Sequence, residues 1–306
     1  MRVTLGLQMG SASAYLREAS ERLLDAQRVV TTGKRITKPS DNPTLANRSM
    51  SLRAAINGIE QYRENNNLAL SILSTSEAAV GDIADQMILL RQEAGKVTGS
   101  LDSESKTAIL FTIGNIRSRL LDLANTQYLD RYIYSGTRTD TPPLLLNPAD
   151  PPVPPYIFQG LPDTVELQIQ PTERVQISVT ANELFNLDGS AGAGIRDVFT
   201  ILSDLETAVN AGDVEMASSL LHDIDAAHAN MLAIQAGIGA RAARVEANAD
   251  ALVASRDRMK DLLSNLEDID TPTAIIEMQT QQNVYQAALT VAANIMQHRT
   301  LADYLS

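Results

Sequence analysis

The stretch LGLQMGSASAYLREASERLLDAQRVV, residues 5–30, decides how the whole chain is read. Its apolar residues fall at Leu5, Met9, Ala12, Leu16, Ala19, Leu23, Ala26 and Val30, in steps that alternate four and three. That is the seam of a coiled-coil helix. Larger residues are interleaved with alanine, so a partner helix can approach closely at the alanine positions. Gly33 then stops the helix, and the polar loop TTGKRITKPSDNP follows over 31–43. Within it Asn42 caps a new helix whose first position is Pro43, where the missing N–H costs nothing.

Working outward, steps of seven from Leu45 give Leu45, Leu52, Ile59, Asn66, Leu73, Val80, Met87, Ala94 and Leu101. This predicts a very long helix in which Asn66 is a polar, register-setting position within an apolar stripe. The flanking positions drift along it, from Ile56 and Leu70 to Ile83, Leu90 and Val97. Such drift is what a 3.6-residue helix shows against a seven-residue repeat when several partners surround it. A third helix is expected from about Ser103 to about Tyr132, on Ile109, Ile113, Ile116, Leu120 and Leu123.

The grammar then changes. Residues 136–163 hold most of the prolines, which forbid helix. VELQIQ (165–170) and VQISVT (175–180) alternate apolar and polar residues around PTER, a hairpin pattern. After GSAGAG (189–194), steps of seven work again at Ala217, Ile224, Met231, Ile238, Val245, Leu252, Met259 and Leu266. Thr271–Pro272 breaks this second long helix. A final helix carries two adjacent stripes, Val284, Ala288, Val291, Ile295, Ala302, Leu305 and Tyr285, Leu289, Ala292, Met296. That arc is too wide for one partner and points to cover from two sides, hence to self-assembly.

The predicted fold class is mainly α with an inserted small β domain: a long-helix bundle plus terminal coiled-coil helices. Its expected parts are an N-terminal coiled-coil segment and loop (1–43), a first part of the bundle (44–135), the inserted β domain (136–189), a second part of the bundle (190–270) and a C-terminal coiled-coil helix (271–306). Both terminal segments are expected to be disordered in a free monomer, where exposed seams bury too little to offset their backbone entropy.

Composition narrows the function. The chain has 306 residues, 37 Asp+Glu against 25 Lys+Arg, three His, no Cys and no Trp. A net charge of −12 argues against nucleic acid, and the absence of cysteine removes disulfides, thiolate metal sites and cysteine nucleophiles. No apolar run reaches membrane-spanning length, and the start MRVTLGLQMG does not have the pattern of a cleaved signal peptide. Aromatics are only 4%, so aliphatic side chains must fill the core. The first fifty residues carry eight basic and four acidic groups, net +4, which leaves −16 for the rest. Opposite signs at end and body suit association between copies.

Catalytic constellations fail on spacing. His222 and His228 are six apart, about 240° round a helix, so they do not share a metal. His298 has no carboxylate partner nearby in sequence. GSAGAG has the wrong order for a dinucleotide loop and lacks its Lys and acid partners. Asp223, Asp225, Asp268 and Asp270 lack calcium-loop spacing. No catalytic, cofactor-binding or metal residue is therefore expected, which leaves an enzyme or helical ligand-binding module as the remote reading. Lys34, Arg35 and Lys38 read as a solvated cluster complementing a helix C-terminus, with a contact to an acidic neighbouring subunit as the alternative.

The run Thr32-Gly33-Lys34-Arg35-Ile36, then Pro39-Ser40-Asp41-Asn42-Pro43, resembles the "tGkRi…pSDdP" signature shared by flagellins and the hook–filament junction proteins. The motif residues it carries over are Gly33, Lys34, Arg35, Pro39, Ser40, Asp41 and Pro43. Three features are similar to the hook-associated protein 3 family rather than to filament flagellins: the opening Met1-Arg2-Val3-Thr4, the segment Arg131-Tyr132-Ile133-Tyr134-Ser135-Gly136-Thr137 with Thr141-Pro142-Pro143, and the ending Leu301-Ala302-Asp303-Tyr304-Leu305-Ser306. Leu144, Ala181-Asn182 and Ala302 depart from that pattern. The resemblance implies a structural adaptor, exported without a cleaved signal peptide to the extracellular bacterial flagellum. It also implies copies of itself in a ring, a hook-associated protein on the hook side, flagellin on the filament side, and room for an export chaperone, with no nucleic acid, membrane or cofactor. A short flagellin is the alternative. The expected assembly positions are Leu5, Met9, Leu16, Leu23, Val30, Val284, Leu289, Val291, Ile295 and Leu305.

Overall fold

The seven-residue stripes become two very long helices, α2 (Pro43–Gly95) and α6 (Val214–Glu267), in a computed structural model that describes residues 2–97, 101–147, 156–189 and 195–304. Around them, in chain order, come α1 (Arg2–Thr32), α3 (Ser103–Ala124), three strand pairs, α4 (Ala181–Phe185), α5 (Val198–Ala211) and α7 (Thr271–Tyr304). Among the described residues no helix is long and apolar enough to cross a membrane. The side chains of residues 1–6, 8, 146 and 296–306 lie outside the description, as do Gly99, most of GSAGAG, the prolines at 151–155 and the backbone of Leu305.

The chain divides into two compact units, Met1–Glu60 with Ala254–Ser306, and Gln61–Val253. The second, central unit holds the large core. There Leu73, Val80 and Met87 of α2 are buried with Ile224, Met231, Ile238 and Val245 of α6, and with Ile109, Ile113, Ile116 and Leu120 of α3. The few aromatic rings are spent here: Phe199 lies 4.3 Å from Tyr156 and 5.2 Å from Phe185, centre to centre.

Among the described residues the β elements are three separate antiparallel pairs. β1 (Gln127–Tyr128) pairs with β2 (Arg131–Tyr132), β3 (Leu144–Leu146) with β4 (Tyr156–Phe158), and β5 (Glu166–Gln170) with β6 (Glu173–Gln176). Leu144, Tyr156, Ile169 and Val175 point into the same core as the helices. The 136–189 segment thus folds onto the bundle. The expected hairpin is present, shortened because residues 177–180 leave the ladder and lead into α4, capped by Thr180 and Glu183 in a reciprocal capping box.

Three helix ends differ from expectation. α2 stops at Gly95, which leaves Leu101 of its predicted stripe outside it. α3 stops at Ala124 rather than near Tyr132, because Leu129 and Asp130 adopt φ of 49° and 59° and turn the chain back as β1–β2. That turn conformation is normally signalled by Gly or Asn. The second helical half is also interrupted: α5 ends at Gly212, φ 69°, before α6 begins.

Asn66 has its expected polar role, with a partner that was not foreseen. Its Nδ2 donates to the Ile169 carbonyl at 3.1 Å, and its Oδ1 accepts from Asn248 Nδ2 at 3.0 Å. Asn248 Nδ2 also reaches the Ile169 carbonyl at 3.1 Å, and its Oδ1 accepts from Gln170. One buried amide network therefore fastens β5 to both long helices. Tyr134 is fully buried, donates to the Ser76 carbonyl at 3.0 Å, and has its pKa raised by that burial. Gly136, φ 65°, has no substitute: a Cβ there would meet the Leu161 carbonyl oxygen at 2.1 Å.

Candidate assembly site

The terminal unit contains α1, the start of α2, the end of α6 and α7. Helices α1 and α7 lie close, with Cα atoms of one within 8 Å of the other, an approach that their interleaved alanines permit. On α1 the seam residues Met9, Ala12, Leu16, Ala19, Leu23, Ala26 and Val30 are all withdrawn from solvent. On α7 the matching stripe is Ala274, Met278, Gln281, Tyr285, Ala288, Ala292 and Ile295, again in steps of four and three. The two seams cover each other within one chain. Both terminal segments are helical here, each placed to supply the other's missing partner.

The expected assembly positions consequently fall into groups. Met9, Leu16, Leu23, Val30 and Ile295 are half-buried on the α1–α7 side. Val284, Leu289 and Val291 point outward and are exposed, with Val291 at 56%. Leu5 has no described side chain, and Leu305 lies outside the described residues. One stripe of α7 is covered inside the chain, and the apolar residues flanking it are left to solvent, together with Ile276 of α7 and Leu7, Tyr15 and Leu24 of α1.

Besides the apolar seams, a polar clasp holds this unit. Among its described residues the buried ones are Ala19, Ala46, Ser49, Ile56, Ile59 and Glu267. Glu267, the last residue of α6, is the centre of a clasp. Its side chain is 7% exposed and takes an ion pair from Lys34 Nζ at 2.9 Å. Arg53 grips it through Nη2 at 2.6 Å and Nε at 3.1 Å, and the Ser49 hydroxyl donates to it as well. Burial alone would raise the Glu267 pKa, but Arg53, Ser49 and Lys34 outweigh it and hold the carboxyl down at about 2. The backbone completes the clasp: Arg35 N–H donates to the Glu267 carbonyl at 2.6 Å, and Ile269 N–H to the Gly33 carbonyl at 3.2 Å.

This geometry explains the loop motif. Gly33 has φ 69°, the left-handed conformation that ends α1. Asp41 accepts from the backbone N–H groups of Thr37 at 3.1 Å and Lys38 at 2.9 Å, which bends the loop and lowers its own pKa. Asn42 Oδ1 caps α2 by accepting from Leu45 N–H at 3.1 Å, with Pro43 opening the helix. Pro39 and Ser40 are exposed. Lys34 has a partner that the expected reading did not name: it pairs with Glu267 of its own chain while its side chain stays 41% exposed. Sequence reasoning missed Glu267 because a single acid 233 residues away carries no local mark.

The sequence pattern of the bacterial flagellin N-terminal helical region matches residues 5–139, and that of the flagellin C-terminal helical region matches residues 221–305. Flagellar hook-associated protein 3 of Salmonella typhimurium is 26% identical over 284 residues, covering 85% of this chain and 86% of its own. The flagellin of Listeria innocua is 20% identical over 304 residues, covering 97% and 96%. In fold, the chain is similar to a solved flagellar hook-associated protein of Vibrio parahaemolyticus. The TM-score is 0.63 at 19% identity, covering 74% of this chain and all of that one.

Proposed function

We propose a hook–filament junction adaptor, and the premise is that this chain belongs to the flagellin-like family of bacterial flagellar proteins. It is a structural component of the flagellum. In this reading copies associate in a ring, meet a hook-associated protein on one side and flagellin on the other, and are exported to the outside of the cell. Residues 1–43 and 271–306 form the inner layer, the long helices the next, and the 136–189 segment faces outward. The protein turns over no substrate and needs no cofactor.

The observation that supports this best is the terminal unit's thin core. Its helices carry regular apolar stripes, yet the outward flank of α7 at Val284, Leu289 and Val291 is left exposed by the described residues. Long helices with so little buried side chain gain stability from neighbours in an assembly. The higher identity to a hook-associated protein than to a flagellin, with the opening and the 131–143 segment, favours the junction over the filament itself.

Labelling the chain in intact flagella tests this. A single spot where hook meets filament is the expected result, and cells lacking the chain should keep hooks while releasing flagellin into the medium. Label along the whole filament would instead make the chain a short flagellin.

A further inference from the structure

Phe111 stands apart from the other phenylalanines. Phe185 and Phe199 are buried and Phe158 is half-buried, whereas Phe111, on the outer face of α3, is 72% exposed. Aromatic side chains are enriched among the anchors of protein contacts, which makes this exposed ring a candidate for one. Its neighbours on that face at helical spacing are Glu104, Thr107, Ala108, Gly114 and Asn115, small or polar apart from the acid at one end. Gly114 sits in mid-helix with open space where its Cβ would be. Nothing inside the chain requires a glycine there, and glycine weakens a helix interior relative to alanine. Close approach by something outside the chain would account for it.

The same central unit carries a cavity of about 450 Å³ that suits such an anchor. It is walled by Leu68 and Ile72 of α2, Tyr132 of the β1–β2 turn, and Val165, Leu167 and Ile177 around the β5–β6 hairpin. Arg131 is the charged residue among its lining side chains and has no ion pair among the described residues. Glu104, two turns before Phe111, likewise has none. The anchor is thus apolar with an acid beside it, and the cavity apolar with a base beside it.

We propose that Phe111 of one copy inserts into this cavity of a second copy, with Glu104 of the first facing Arg131 of the second. The inference rests on the association of copies proposed above and names the contact that joins them. Two different patches on one chain make a head-to-tail contact, the type that closes a ring or winds a helix.

The test places a photoreactive side chain in Phe111→p-benzoylphenylalanine and irradiates isolated flagella. Because Phe111 is exposed, the substitution leaves the chain's own core intact. The expected product has twice the chain's mass and joins position 111 to residues 68–72, 131–132 or 165–177 of the other copy. Arg131→Glu should cut its yield by about two- to five-fold, the range of an exposed ion pair, and adding Glu104→Arg should restore it. No product, a product joined elsewhere, or one between position 111 and another protein overturns the docking while leaving the junction reading intact. Label along the whole filament overturns the junction reading but not the contact, which is read wherever copies adjoin.

Discussion

The same two helices behave differently in the two units. In the central unit the seven-residue stripe of α2 is sealed at Leu73, Val80 and Met87, and that of α6 at Ile224, Met231 and Ile238. In the terminal unit the stripe continues without a break in sequence, yet Leu45, Leu52, Met259 and Leu266 are only half-buried. The pattern is constant, and what changes is how much surrounds it. Among the described residues, α3, α5 and the strand pairs stand around the central stretch, and α1 and α7 around the terminal stretch. An apolar repeat therefore marks where a partner belongs without saying whether the partner lies in the same chain. The central unit has its partners, and the terminal unit has half of them.

The sharpest way to break this comparison is to remove equal volume from each unit. Leu120→Ala opens a hole in the central core, where the wild-type side chain is fully buried. It should cost about 2–5 kcal/mol. Leu23→Ala in the half-buried α1 seam should cost about 1 kcal/mol or less, since water already reaches the site. Urea unfolding of the two variants measures both, and equal losses would mean that the terminal unit is as tightly built as the central one.

The polar fastenings come next. Asn248→Ala removes one side of the amide network and leaves Asn66 Oδ1 buried without its donor, an expected loss of about 1–3 kcal/mol. Thermal unfolding should show it in the central transition.

Glu267 makes the corresponding test in the terminal unit. Its carboxyl is held at about 2, below an ordinary value of 4.5. The charged form is thus favoured by folding, so its contribution is complete above pH 4.5 and disappears as pH falls toward 2. Lys34 and Arg53 are each more than a third exposed, so screening reduces the gain to about 1–2 kcal/mol. Glu267→Gln should lower terminal-unit stability by that amount at pH 7 and match wild type near pH 2. A difference that persists unchanged at pH 2 would show that shape rather than charge holds the clasp.

How much of this was legible in the sequence follows from how local each signal is. The stripes of α1, α2 and α6 repeat many times, so the helices could be read in type, although the stripe of α2 was carried past its end at Gly95 to Leu101. The Asn42–Pro43 start of α2 and the Gly33 stop were equally readable, because caps depend on a few adjacent residues. The end of α3 was not, since Leu129 and Asp130 turn the chain without a glycine to announce it. Asn248 was passed over because it lies three residues from Val245, between the stripe positions followed along α6. Of the candidate assembly site, the α7 arc was visible as too wide for one partner. That α1 would cover half of it is not written in the seams themselves, because two seams of matching period do not name each other.

The smallest expected effect on folding is also the one that speaks most directly to function. Val291→Asp places a carboxylate on the exposed flank of α7, next to the stripe that α1 covers. In the isolated chain the new charge stays in water, so unfolding should shift by no more than about 0.5 kcal/mol, as for surface changes generally. In an assembly that buries this flank, the same charge must be desolvated against apolar side chains, at a cost of several kcal/mol in every copy. The variant should therefore be produced and fold normally but fail to hold a filament, which motility in soft agar and microscopy of shed filaments would reveal. Glu277→Gln, an exposed change on the same helix, serves as the control and should swim. If Val291→Asp cells keep their filaments, the outward flank of α7 is solvent-facing in the flagellum too. The partners of the terminal unit would then have to be sought on the exposed side of α1, at Leu7, Tyr15 and Leu24.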